Sequence, residues 1–196
     1  MSIRRTGDWD KARALLTDAG RRARRAFQVA VRSEAEQLRR DIVRGLDSQS
    51  PGGEAFAPLK ALTLISRAAA GLRGRRALIA RGALRGAIRV IVRAGEVFVG
   101  IPDQLRGRNG QNLSKIAAIH EFGAGPFAIR PTPKMRRFLF AALQRSGATS
   151  KSSKSSSDTW IIRIPARPFL RPVFDAFRRG VQQRISSKIQ RLMGWR

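Results

Sequence analysis

Between Pro165 and Pro172 the chain carries three prolines in eight residues, within the run Ile164-Pro165-Ala166-Arg167-Pro168-Phe169-Leu170-Arg171-Pro172. Each proline locks φ and removes a backbone donor, so neither a helix nor a central strand can run through this segment. Just before it, Trp160, Ile162 and Ile164 alternate with the period of a strand. Just after it, Phe174, Phe177, Val181, Ile185, Ile189 and Leu192 recur at helical spacing, with Arg178, Arg179, Arg184 and Arg191 elsewhere. The segment is predicted to be a rigid corner between a strand and a closing helix.

A second fixed point lies upstream, at Ile119-His120-Glu121-Phe122-Gly123. Ile116, Ile119 and Phe122 share one face at helical spacing and Gly123 supplies a left-handed stop, so a short helix over Leu113–Phe122 is expected to end here. Between the two points the sequence predicts a third strand at Phe127–Arg130 and an amphipathic segment over 133–145, marked by Met135, Phe138, Leu139, Ala142 and Leu143. Ser146–Ser157 follows, with seven serines, two lysines and no large apolar side chain in twelve residues. Such a run buries too little surface to order itself and reads as the flexible tip of an inserted arm over 131–158.

At the N-terminal end, Leu15, Ala19, Ala23, Phe27, Val31, Leu38, Ile42 and Leu46 recur at steps of four or seven. This predicts an amphipathic helix over about 8–46, with Gly20 the point at which the pattern permits a break. At ~1.5 Å per residue the helix would extend roughly 55 Å, longer than a compact domain of this size, so part of it should project or pack on a neighbour. Its other face carries Arg21, Arg22, Arg24, Arg25, Arg32, Arg39 and Arg40, against only Glu34, Glu36 and Asp41. A solvated face and an anionic partner both suit that pattern.

Ser48–Ala57, with Ser50-Pro51-Gly52-Gly53, reads as a loop, and Pro58 as the first turn of a short helix carrying Leu59, Leu62, Leu64 and Ile65. Gly71–Arg76 is a basic connector, and no Gly-Lys-Ser/Thr follows its glycines to make a phosphate loop. Ile88, Val90 and Val92 share a face, as do Val97, Val99 and Ile101 after a turn at Ala94-Gly95, which predicts an antiparallel hairpin. A mobile basic loop, Pro102–Gln111, follows. The order of elements predicts an α+β fold in one domain spanning 1–196. Its long N-terminal and C-terminal helices would pack on a small antiparallel sheet that carries the inserted flexible arm.

Charge then bounds the function. Forty Lys and Arg against 13 Asp and Glu leave +27, so the chain repels itself and should seek polyanions or acidic protein surfaces. Arg21, Arg22, Arg24, Arg25, Arg178 and Arg179 are the candidate contacts. The absence of cysteine removes disulfides and thiolate metal sites. Arg4 and Arg5 lead into Trp9, Asp10 and Lys11 rather than an apolar signal core, and arginines interrupt every apolar run short of the ~20 residues of a membrane span. A soluble protein without membrane contact is expected. His120, the single histidine, stands beside Glu121, but adjacent helical residues point about 100° apart and no nucleophile or metal set accompanies them. No enzyme, cofactor or metal is expected.

These residues resemble the bacteriophage virion-morphogenesis, or tail-completion, proteins, which join heads to tails in tailed phages. The resemblance rests on His120-Glu121-Phe122-Gly123 followed by Ile164–Pro172, and upstream on Phe56-Ala57-Pro58-Leu59 and Gly82-Ala83-Leu84-Arg85-Gly86-Ala87-Ile88, in family order over roughly 50–190. It implies a non-enzymatic subunit, assembled in the host cytoplasm, of a homo-oligomeric, six-fold ring at the head–tail neck or the top of the tail. Tail terminator and connector proteins would be its neighbours, and DNA would pass through the channel. By motif match, Glu121, Phe122, Gly123, Arg167, Pro168, Phe169, Arg171 and Pro172 would hold the sheet–helix corner and serve folding and subunit contact. The rival function is non-specific nucleic-acid binding by arginine clusters, which would be salt-sensitive.

Overall fold

The computed structural model describes residues 7–72, 74–93, 96–145 and 159–194. The expected hairpin turn at Ala94-Gly95 and the serine-rich run Ser146–Ser157 lie outside the described residues. Helix α1, Trp9–Ser48, is continuous through Gly20 and about 60 Å long at ~1.5 Å per residue. The Asp8 carboxylate caps its start, accepting from the Lys11 N–H at 3.1 Å.

The core gathers on the second half of α1. Leu38, Ile42 and Leu46 meet Leu84 and Ala87 of a short helix α3 (Ala83–Ala87), Ile88, Ile101, Leu113 and Ala117 of α4 (Leu113–Phe122), and Phe169 and Val173 at the start of α6 (Arg171–Phe177). Phe169, Ile42, Leu46 and Ile88 are its largest fully buried side chains, each contributing about 1.5–3 kcal/mol of apolar burial. Helix α2 (Ala61–Ala69) packs on α5 (Pro133–Arg145), and α7 (Val181–Met193) packs along α1.

The α+β prediction holds, with the strands in two separate antiparallel pairs. Strand β1 (Arg89–Arg93) pairs with β2 (Glu96–Gly100) in a register that sets Val90 against Val99. Strand β3 (Ala124–Ile129) pairs with β4 (Trp160–Ile164), with an irregularity between Ala124 and Phe127. The first pair lies against α1 and shelters Val97 and Val99, while the second leaves Phe127, Ile161 and Ile162 exposed and carries α5 between its strands.

Four local readings are corrected. The C-terminal helix is two helices, because the chain turns at Gly180 (φ 73), and Phe174 is left exposed. Helix α2 begins after an extended Lys60 (ψ 148), so Pro58 precedes it: a proline suits a first turn without compelling one. Helix α3 runs to Ala87 and β1 starts at Arg89, so Ile88, expected on the first strand of the hairpin, caps the helix instead. Finally, α4 buries Leu113, Ala117 and Glu121, whereas Ile119 and Phe122 face outward.

Candidate assembly site

The rotation of α4 has a polar cause. The side chain of Glu121, 8% exposed, reaches the turn that begins α6. Its Oε2 accepts from the backbone N–H groups of Phe169 (2.9 Å) and Leu170 (3.1 Å), and its Oε1 from that of Arg171 (2.8 Å). The first N–H groups of a helix have no partner within it and carry partial positive charge, so a carboxylate there satisfies the donors and complements the dipole. In the other direction, the Arg167 N–H donates to the His120 carbonyl at 2.6 Å. The two motif ends are thereby joined across 48 residues of chain.

Close packing completes the corner. Phe169 is 0% exposed. Gly123 has φ 76 and ψ 175, an extended positive-φ conformation open essentially to glycine alone, in place of the left-handed stop expected there. A Cβ at Gly123 would stand 3.0 Å from both the Ile164 carbonyl oxygen and the Ala166 nitrogen. Pro172 seats against the 3-10 turn Pro51–Gly53, where a Cβ on Gly52 (φ 67) would lie 2.7 Å from the proline Cβ. Pro168 is half-buried, while the side chains of Phe122 and Arg171 face outward.

Chemistry at His120 is confined. Its Nδ1 and the Nε of Arg167 are buried with no hydrogen-bond partner among the described residues. Burial, reinforced by the Arg167 charge, pushes the imidazole pKa below its ordinary value and keeps the ring neutral. Glu121, engaged with the α6 backbone, does not orient the ring. Among the described residues, no cluster of three His, Asp or Glu could hold a metal ion, and no helix is long and apolar enough to cross a membrane.

A second buried carboxylate was not singled out as a site from the sequence. Glu34, 3% exposed, receives Arg184 Nε at 2.7 Å and Lys188 Nζ at 2.6 Å, fastening α7 to α1. Burial opposes its ionisation, but the hydrogen bonds and charges of Lys188 and Arg184 outweigh that and lower its pKa. The Arg184 guanidinium also stacks 4.8 Å from the Phe177 ring centroid and donates to the Phe177 carbonyl, binding α6 into the same clasp. The available signal was an acid in the stripe Ala26, Ala30, Glu34, Leu38, facing a C-terminal segment rich in cations.

The candidate arginines fall into two groups that the fold keeps apart. Arg21 and Arg22 lie on the first half of α1 and share Asp18 at 3.7 and 3.1 Å, while Arg24 and Arg25 are exposed. Arg178 pairs with Asp175 at 3.4 Å, next to a groove that Phe177 shares with Gln37, Asp41 and Arg44 on the second half of α1. Arg179 is exposed beside it. Exposed pairs of this kind contribute little stability.

Three uncovered surfaces among the described residues are apolar. Along the first half of α1, Trp9, Leu15, Leu16 and Phe27 are each more than half exposed, and the helix buries no residue before Ala26. A second exposed set, Phe127, Ile161, Met135, Phe138 and Phe140, lies on β3, β4 and α5. A third, Phe98, Phe122 and Phe174, rims a groove beside the Glu121 corner. Apolar surfaces of this extent mark sites of association.

Comparison with known proteins gives one match. The model of the phage virion morphogenesis family matches residues 8–194. No match is found among curated proteins or among solved structures. The family pattern thus runs from the cap of α1 to the end of α7, and the chain belongs to the phage virion morphogenesis family.

Proposed function

We propose that this chain is a ring-forming structural subunit that completes the tail and joins it to the head. Family membership makes it a virion-associated protein with a structural role. The observation that carries the finer reading is the first half of α1: roughly 25 Å of helix at ~1.5 Å per residue, bearing exposed Trp9, Leu15 and Leu16 and lying outside the core. A helix with an apolar stripe and no partner for it among the described residues is stabilised by burying that stripe on another subunit. A head-to-tail contact of this kind closes into a ring when its rotation closes. The subunit acts without catalysis, with tail terminator and connector proteins as neighbours and DNA in the channel, at the head–tail neck or upper tail of the virion.

Two measurements test this. Light scattering at low and high salt should give a discrete oligomer, either alone or on addition of the tail proteins. Particles assembled without the protein should accumulate as separate heads and tails. Normally joined particles in its absence would overturn the reading, and salt-sensitive loading on DNA without a defined oligomer would favour the nucleic-acid alternative.

A further inference from the structure

A large recess lies on the other side of the Glu121 corner. It holds about 1170 Å³ between α2, residues 78–84, the loop 107–111, the start of α4 and the end of β4. Six cationic side chains line it, Lys60, Arg67, Arg81, Arg108, Arg163 and Arg167, and no Asp or Glu does. Arg67 is engaged, donating to the carbonyls of Gly74 (3.1 Å) and Arg76 (2.7 Å). The side chains of the other five have no ion-pair or hydrogen-bond partner among the described residues. Outside the recess the chain's own acids hold some of its arginines, Asp18, Glu34, Glu36, Asp41, Asp47 and Asp175 each at least one, and none of these acids reaches into the recess. Like charges gathered around a concavity focus a positive field into it, and a bound anion relieves their repulsion.

We propose that this recess binds an acidic peptide segment of a neighbouring virion protein. The lining discriminates between polyanions. Its floor is apolar, with Leu59, Leu78, Leu84, Leu113, Ile116 and Ile164, so an occupant with apolar side chains between its charges buries surface there. Duplex DNA presents a convex backbone with a phosphate every ~1.7 Å of axis, which a stripe of surface arginine meets and a recess does not. Single strands bind by stacking bases on aromatic rings, and no Phe or Trp lines the cavity. Carboxylates match guanidinium forks in bidentate geometry, and this cavity offers several forks unclaimed by the chain's own acids. The inference stands whether or not the chain forms a ring.

The test is fluorescence anisotropy of a labelled peptide of about a dozen alternating Glu and Leu residues, at physiological salt. Its Gln-for-Glu counterpart, and single-stranded and duplex oligonucleotides of similar length, serve as comparisons. In the triple variant Arg81→Gln/Arg108→Gln/Arg163→Gln, binding of the acidic peptide should weaken about tenfold or more. The triple variant Arg13→Gln/Arg89→Gln/Arg93→Gln, which removes the same charge from exposed positions outside the recess, should stay within about twofold of the parent. Equal losses in both variants, binding of the Gln peptide as tight as that of the Glu peptide, or no binding would overturn the proposal. Oligonucleotide binding that depends on the recess, without peptide binding, would overturn it in favour of a phosphate ligand. Should the recess variant melt below the parent, Lys60→Gln/Arg108→Gln must reproduce the selective loss, and failure to do so counts against the proposal.

Discussion

Glu121 holds the backbone nitrogen of Phe169 at 2.9 Å, and through that bond a ten-residue helix and a proline corner 48 positions away form one unit. The same carboxylate satisfies Leu170 and Arg171, so three donors at the start of α6 depend on one side chain. The corner sets where β4 ends, where α6 starts and how α4 is rotated, and the groove rimmed by Phe98, Phe122 and Phe174 lies beside it.

Glu121→Gln is expected to keep the shape of that side chain while replacing an acceptor oxygen with an amide that only donates. At least one backbone N–H is then left buried without a partner, at about 1–3 kcal/mol. The urea midpoint should fall accordingly, and an unchanged midpoint would show that the carboxylate is dispensable to the corner.

Acid should destabilise the protein in two stages. His120, pushed below 6.5 by burial and Arg167, and Glu34, held below 4.5 because Lys188 and Arg184 outweigh its burial, both bind protons more weakly folded than unfolded. The unfolded chain therefore takes up protons first as pH falls, and protonation favours unfolding. The melting temperature should decline below pH 6.5 as the unfolded-state histidine charges, and again below pH 4.5 as the Glu34 clasp is lost. His120→Gln should remove the first decline and Glu34→Gln the second; a melting temperature that rises on acidification across either range would contradict this.

Two phenylalanines of the same motif pair should behave oppositely. Phe169 is 0% exposed, so Phe169→Ala should cost about 3–5 kcal/mol. Phe122 is 74% exposed, so Phe122→Ala should change stability by less than about 0.5 kcal/mol. If Phe122→Ala instead reduces the mass of the assembled species with melting intact, its groove is a subunit contact.

Removing residues 1–24 should leave the monomer folded, since α1 contributes no buried residue before Ala26. Its melting temperature should match that of the full chain at concentrations where both are monomeric, while the oligomer expected of the full chain by light scattering should not form. Persistence of that oligomer would assign assembly to the α5 arm or the Phe122 groove instead.

Much of the architecture is local and was readable as such. The apolar period of α1, the alternation in β1, β2 and β4 and the three prolines leading into α6, the last of them in its first turn, each act within a few residues, and the corresponding elements are present. Two of the errors share one origin. The apolar positions from Phe174 to Leu192 keep helical spacing across Gly180, and periodicity alone does not register a turn that preserves it. Phe122 matched the stripe of Ile116 and Ile119, yet α4 keeps only Ile116 against the core and turns Ile119 and Phe122 outward.

The sequence by itself determined the helical and extended segments, the rigid corner, the excess of cationic charge and, through the ordered motifs, the family. Only the tertiary structure decided which face of α4 is buried, which acids are engaged and which cations remain unpaired around a recess. The reason is physical: local propensity and period concern neighbours in the chain, whereas a buried carboxylate takes its place from donors that folding brings to it from elsewhere. Glu121 and Glu34 each occupy a position in an apolar stripe, and backbone donors at α6 and cations on α7, distant in sequence, make those positions favourable.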